Sequence, residues 1–185
     1  MTVDPETLQI VHYPHPVLRQ RSDAIEQVDD HVRAVIDRMI ALTEQAGGIG
    51  LAANQVGLPW RLFICDVPEG DGRSVDDEPP TASPGPVVFV NPEVSEPAGP
   101  VEPFAEGCLS LPEITGDVRR PDEILVKALD RDGQPFTLRA AGLYGRCIQH
   151  EFDHIEGVLI LDRMGMMDRR KNRNAIRALE GAGAG

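Results

Sequence analysis

The sequence predicts an α+β fold: antiparallel β-sheet packed around a central helix that carries a His-Glu-x-x-His motif, with a further helix near the C-terminal end. Three observations predict it. Strand-like runs are clustered and do not alternate with helical ones, which argues against a doubly wound parallel sheet. The tetrapeptide Asp130-Arg131-Asp132-Gly133 separates two alternating runs, a hairpin signal, and hairpins are antiparallel. Two segments on either side of the strands carry apolar residues at helical spacing.

The first helical segment runs from Val28 to Ala46, with apolar residues at 28, 32, 35, 36, 39 and 42 on one face. Asp29 or Asp30 is placed to cap its start, and Gly47-Gly48 to end it. Arg61 to Val67 and Val87 to Val94 have the continuous apolar character of buried strands. Between them, Pro68 to Pro86 is crowded with Pro, Gly, Asp and Glu and reads as a mobile surface loop. Glu123 to Leu129 and Pro135 to Arg139 form the arms of the hairpin. Helical spacing returns from Ala141 to Ile155, bringing Leu143, Cys147, His150 and His154 towards one face, and Gly157 is placed to end that helix. Met167 to Leu179 reads as a last helix, and residues 180–185 as a flexible tail. No internal repeat or composition break divides the 185 residues, so one catalytic domain over 1–185 is expected.

Composition excludes several classes. A hydrophobic fraction of 41% with 26% charged residues is that of a globular protein. With 18 basic and 30 acidic residues the formal charge is -12, which opposes binding of nucleic acid or anionic membrane by the body of the chain. No apolar run reaches bilayer-spanning length, and the opening residues lack the basic-then-apolar layout of an export signal. Cys65, Cys108 and Cys147 are odd in number and widely spaced, which predicts no disulfide partners and a reducing, cytoplasmic compartment.

The chemistry concentrates in Gln149-His150-Glu151-Phe152-Asp153-His154. Side chains four apart on a helix share a face, so His150 and His154 can offer two imidazoles to one ion. Glu151 stands next to the first donor, within reach of water at that ion, an arrangement suited to metal-assisted hydrolysis. Two donors do not complete a site. A protease of the extended motif would need a third His six residues after the second, but Ile160 stands there; Glu180 is the only distant carboxylate that could replace it. The segment Glu106-Gly107-Cys108-Leu109-Ser110 offers a thiol instead, giving a Cys-His-His set with one open position. Three readings stand at this point: a hydrolase, a protease, and a non-catalytic metal or redox module.

Three segments together resemble the signature motifs of peptide deformylases: Gly48-Ile49-Gly50-Leu51-Ala52-Ala53-Asn54-Gln55, then Glu106 to Ser110, then Gln149 to Gly157. Their order and separations are similar to the family's, as is the His15-Pro16-Val17-Leu18-Arg19 opening. The resemblance implies removal of the formyl group from N-formylmethionyl peptides in the bacterial cytoplasm, with release of formate. It implies that Cys108, His150 and His154 bind one divalent metal, with Glu151 as general base and then acid. Ferrous iron is the metal the family usually uses, and zinc, nickel or cobalt can take its place. It further implies that the Gln55 side-chain amide and the Leu109 backbone N–H stabilise the oxyanion. Peptide would lie extended beside Gly48-Ile49-Gly50, with the methionine side chain in a pocket of Ile49, Leu143 and Cys147. Arg146 is expected to lay its stem along that pocket and keep its charge in water.

The C-terminal segment runs against the global charge: Arg163, Arg169, Arg170, Lys171, Arg173 and Arg177 crowd together. Two readings apply, a solvated helix face and docking on ribosomal RNA, which some family members do through a C-terminal helix.

Overall fold

The computed structural model describes residues 3–183. Five strands form one antiparallel sheet in the order of the chain: β1 (Gly50–Ala52), β2 (Leu62–Cys65), β3 (Val87–Cys108), β4 (Leu111–Leu129) and β5 (Pro135–Ala140). Alternation along β2 and β3 sends side chains to two different cores. Leu62, Ile64, Val88 and Val90 meet Val32, Val35, Ile36, Met39 and Leu42 of helix α1 (Asp30–Gln45). Phe63, Cys65 and Phe89 face the opposite way, onto Tyr144, Cys147, Ile148 and Ile155 of helix α2 (Gly142–Ile155). The architecture is therefore a single sheet with a helix on each face, and α2 touches all five strands.

Helix α1 begins where Asp29 caps it, its side chain accepting from Val32 N–H at 2.8 Å. Helix α2 ends at Gly157, whose φ of +74° an L-residue adopts only at a cost. A Cβ there would also stand 2.7 Å from the Arg19 carbonyl oxygen. That stop leaves His150 and His154 on the last turns of the helix, facing the end of β3.

Three expectations need correction. The strand beginning at Val87 does not stop near Val94 but runs 22 residues to Cys108, pairing with β4 along its length. Pro97, Pro100 and Pro103 fall inside this strand; β2 is paired only up to Val90, so they lie on an edge where a missing N–H is tolerated. The Pro68–Pro86 segment forms no helix or strand and is organised by its own hydrogen bonds, with Ser74 N–H donating to Asp77 and to Thr81 Oγ1. It is pinned by buried Ala82 and Ser83. The last helix is two pieces, α4 (Met166–Lys171) and α5 (Arg173–Ala182), broken at Asn172 and preceded by a short α3 (Ile160–Arg163). Its final turns take up the first residues of the expected tail, through Ala182; Ala184 and Gly185 lie outside the described residues.

The C-terminal helices seal a third core. Ala175, Ile176 and Leu179 pack on a cluster built from Val17, Leu18, Leu111, Ile114, Val118, Leu159, Ile160 and Met164. Ile160, where a protease would carry its third His, is buried in it. No helix among the described residues is long and apolar enough to cross a membrane.

Candidate active site

The end of β3 and the last turns of α2 bring three donors together. Cys108 Sγ, one nitrogen of His150 and one of His154 all lie within 4.8 Å of one another, and Cys108 Sγ is 3.2 Å from His154 Nε2. The spacing that suggested a shared face is realised, with the two imidazole centroids 5.0 Å apart. Glu180, the alternative third donor, is instead bonded to the Tyr13 hydroxyl at 3.2 Å.

The His150 imidazole is held from behind, whereas His154 Nδ1 has no hydrogen-bond partner. His150 Nδ1 lies 3.0 Å from Glu106 Oε2, which leaves Nε2 for the site. The backbone carbonyl of His154 accepts from the Asn54 side chain. Burial works against charge on both rings. It keeps His154 well below the ordinary imidazole pKa, so the ring is neutral with a free lone pair. At His150, burial is outweighed by hydrogen bonds to Cys108 and Glu106, and the value rises.

Glu151 is 4% exposed, and its Oε2 has no hydrogen-bond partner. Burial is the main cause of its raised pKa, pushed up to about 7. Gly50 is what admits the carboxylate: a Cβ there would sit 2.6 Å from Glu151 Oε1 and 2.8 Å from Cys147 Sγ.

Gln55 is buried, not a solvated turn residue. Its Oε1 accepts from Ala52 N–H at 2.7 Å, which turns Nε2 towards Cys108 Sγ, 3.6 Å away, and Ser110 Oγ, 3.4 Å away. Leu109 occupies the turn between β3 and β4, its side chain against Gly48. Cys147 Sγ donates to the Ile49 carbonyl at 3.2 Å and stands outside the donor trio.

These groups border a cleft of about 370 Å³. Gly48, Ile49, Gly50, Gln55, Cys108, Leu109, Leu143, Cys147, His150 and Glu151 all line it, so every expected site residue is gathered here except His154, which lies buried behind the wall.

The chain matches the family model described as polypeptide deformylase over residues 7–170. It belongs to the peptide deformylase family. The deformylase of Azotobacter vinelandii is 41% identical over 169 residues, covering 91% of this chain and 94% of that one. The Maricaulis maris deformylase is 37% identical, covering 93% of each chain. Among solved structures, the deformylase of Ehrlichia chaffeensis superposes with a TM-score of 0.85 at 31% identity, covering 96% of this chain and 97% of that one. The Synechococcus elongatus deformylase, solved in complex with actinonin, gives 0.78 at 36% identity, covering 91% and 85%. The chain is thus a deformylase, a hydrolase that removes the N-formyl group from new peptides.

Sequence reasoning passed over the charged side chains that surround the trio. Glu106 takes a forked pair from Arg120, Nε to Oε1 at 2.8 Å and Nη2 to Oε2 at 2.9 Å. Arg120 Nη1 also reaches Asp153 Oδ2 at 2.8 Å, and Arg163 closes on the same carboxylate. Arg146 was expected to hold its charge in water; instead its guanidinium is bonded to Glu106 at 2.9 Å. Only Glu106 carried a signal, its place two residues before Cys108.

Proposed function

We propose that Cys108, His150 and His154 hold one divalent metal and that Glu151 is the general base and acid of deformylation. The observation that carries this is the convergence of three donors within 4.8 Å beside a buried carboxylate with an unpaired oxygen. The residues fit a metal: His154 is kept neutral, and the hydrogen bond that His150 Nδ1–H gives to Glu106 turns its Nε2 towards the site. A thiolate with two imidazoles suits ferrous iron, zinc, nickel or cobalt, and we assign Fe2+ as the working ion. When bound, the ion supplies Lewis acidity and makes water a nucleophile near neutral pH.

In this reading the cleft holds formyl-methionine with its side chain against Ile49, Leu143 and Cys147. The peptide extends beside Gly48, Ile49 and Gly50 as an added strand. Glu151 takes the proton from the attacking water and later gives it to the departing amine, which releases formate. Negative charge developing on the formyl oxygen is met by Gln55 Nε2 and the Leu109 N–H. Gln55 is pre-aimed by its bond to Ala52, so no reorganisation is needed as the charge develops. Gln55→Leu is expected to lower kcat by about 10²–10³-fold with bound metal unchanged. Equal kcat with full metal would remove Gln55 from the oxyanion site.

The decisive experiment pairs metal analysis of anaerobically purified protein with a formate-release assay on formyl-Met peptides. Formate release tracking the metal content supports the assignment; release from metal-free protein overturns it.

The cytoplasm as compartment, and the ribosome as partner through the C-terminal helices, belong to the same proposal. Of the six basic residues there, Arg163 and Lys171 are paired with acids and Arg169 donates to the Leu161 carbonyl. Arg170, Arg173 and Arg177 are exposed and form no ion pair among the described residues, so they are free to meet phosphates. Cutting the chain before Met166 would uncover the third core, so charge reversal is the better probe. Replacing the three arginines by Glu should abolish low-salt co-sedimentation with ribosomes; unchanged pelleting would refute the docking.

A further inference from the structure

Arg146 lies one helical turn before His150, so both side chains leave α2 on the same face. Both end on one carboxylate. Arg146 Nη1 donates to Glu106 Oε1 at 2.9 Å, and His150 Nδ1 is 3.0 Å from Oε2. That carboxylate stands on β3 two residues before Cys108, and its plane is set independently by the Arg120 fork from β4. The other bonds of the Arg146 guanidinium go to strand carbonyls, Val118 O at 2.9 Å and Glu102 O at 3.1 Å. Phe104 covers its outer side, with the ring centroid 5.2 Å from Cζ.

The donor trio is split between two elements. The end of β3 supplies the thiol, and α2 supplies both imidazoles. From His150 onwards α2 is tied to the hairpin by the His150–Glu106 bond and by Arg120, which reaches Asp153. Arg146 adds a tie one turn earlier on the same helix and on the carboxylate nearest Cys108, so the helix is held on both sides of His150. The Arg146 and Glu106 side chains are only 13% and 5% exposed, so solvent screens this pair far less than a surface ion pair.

We infer that Arg146 is a positioning residue: with Glu106 it clamps α2 to the end of β3 and so sets the separation between the Cys108 thiolate and the two imidazoles. This rests on the reading of Cys108, His150 and His154 as metal donors. Arginine suits the task because one planar fork reaches the carboxylate and two carbonyls together, which an ammonium cannot do.

The test uses full-length protein loaded with Co2+ and compares wild type with Arg146→Met, Arg146→Lys, Glu106→Gln, the double variant Arg146→Met/Glu106→Gln, and Cys108→Ser. Two readouts are followed, cobalt release to a chelator and the thiolate-to-cobalt charge-transfer band. Far-UV circular dichroism and urea midpoints identify the folded variants. Arg146→Met should release cobalt about 10- to 100-fold faster, with a displaced band. Arg146→Lys should fall in between, and it carries the same comparison if the Met variant does not fold. Because Arg146 acts through Glu106, the double variant should release cobalt within about twofold of Glu106→Gln alone. Wild-type release and band in Arg146→Met would overturn the inference, as would fully additive effects in the double variant. Cys108→Ser holding cobalt with an unchanged band would instead defeat the donor assignment, an outcome readable apart from the others.

Discussion

Glu151→Gln is expected to cut formate release by about 10²–10⁴-fold while leaving the metal in place. The substitution keeps the size of a side chain already pressed against Gly50, so packing is conserved. Only the ability to accept and return a proton is removed. Burial lifts the wild-type carboxyl to about 7, and a base must be ionised to act, so kcat/KM should decline as pH falls through its pKa. A neighbouring dication pulls that value down, which puts the acid limb of the loaded enzyme below 7. The residual activity of Glu151→Gln should lack this limb. Metal analysis beside a pH–rate profile checks both points, and turnover close to wild type in the metal-loaded variant would sink the role given to Glu151.

Arg120→Met should be the most destabilising change near the site, at about 3 kcal/mol, the lower end for breaking a buried ion pair. Arg120 and Glu106 are each 5% exposed and Asp153 is 9% exposed, so removal of the guanidinium strands two carboxylates in a dry setting. The cost stays at the lower end because Glu106 keeps Arg146 and His150, and Asp153 keeps Arg163. The pH dependence has a definite sign. Burial alone would raise Glu106, but bonds from His150 and Arg120 lower it to about 2. A depressed carboxyl stabilises the fold above its unfolded value, 4.5, and that contribution fades as pH falls towards 2. Arg120→Met should move this loss to higher pH. Urea midpoints across that range check it; a midpoint equal to wild type at pH 7 would contradict it.

What could be read from the chain and what could not divide along physical lines. His150, Glu151 and His154 were legible because helical spacing turns four residues of sequence into one face. The hairpin arms around Asp130–Gly133 were legible because local turn chemistry specifies them. The far half of β3 was not. Its prolines are poor strand formers by residue type, and their harmlessness depends on β2 stopping at Val90, a fact of tertiary structure. Arg146 was misread for a related reason. A lone arginine on a helix faces water by default, and only β3, far away in sequence, supplies the Glu106 that draws it inwards. Gln55 was placed on resemblance alone; its aim comes from Ala52, three residues away, and that local bond has no signature in residue type.

The split of the donors between a hairpin end and a helix also dictates an order of events in the life of the chain. Cys108 and His154 are 46 positions apart, and they meet only after β4, β5 and α2 have taken their places. A growing polypeptide offers an incoming ion at most a lone thiol, and later a pair of histidines on a nascent helix. Neither is a competent trap. On the donor assignment proposed above, capture follows folding, the core stands without the ion, and the metal supply at the moment of maturation shares with the donor chemistry in deciding which ion is taken up.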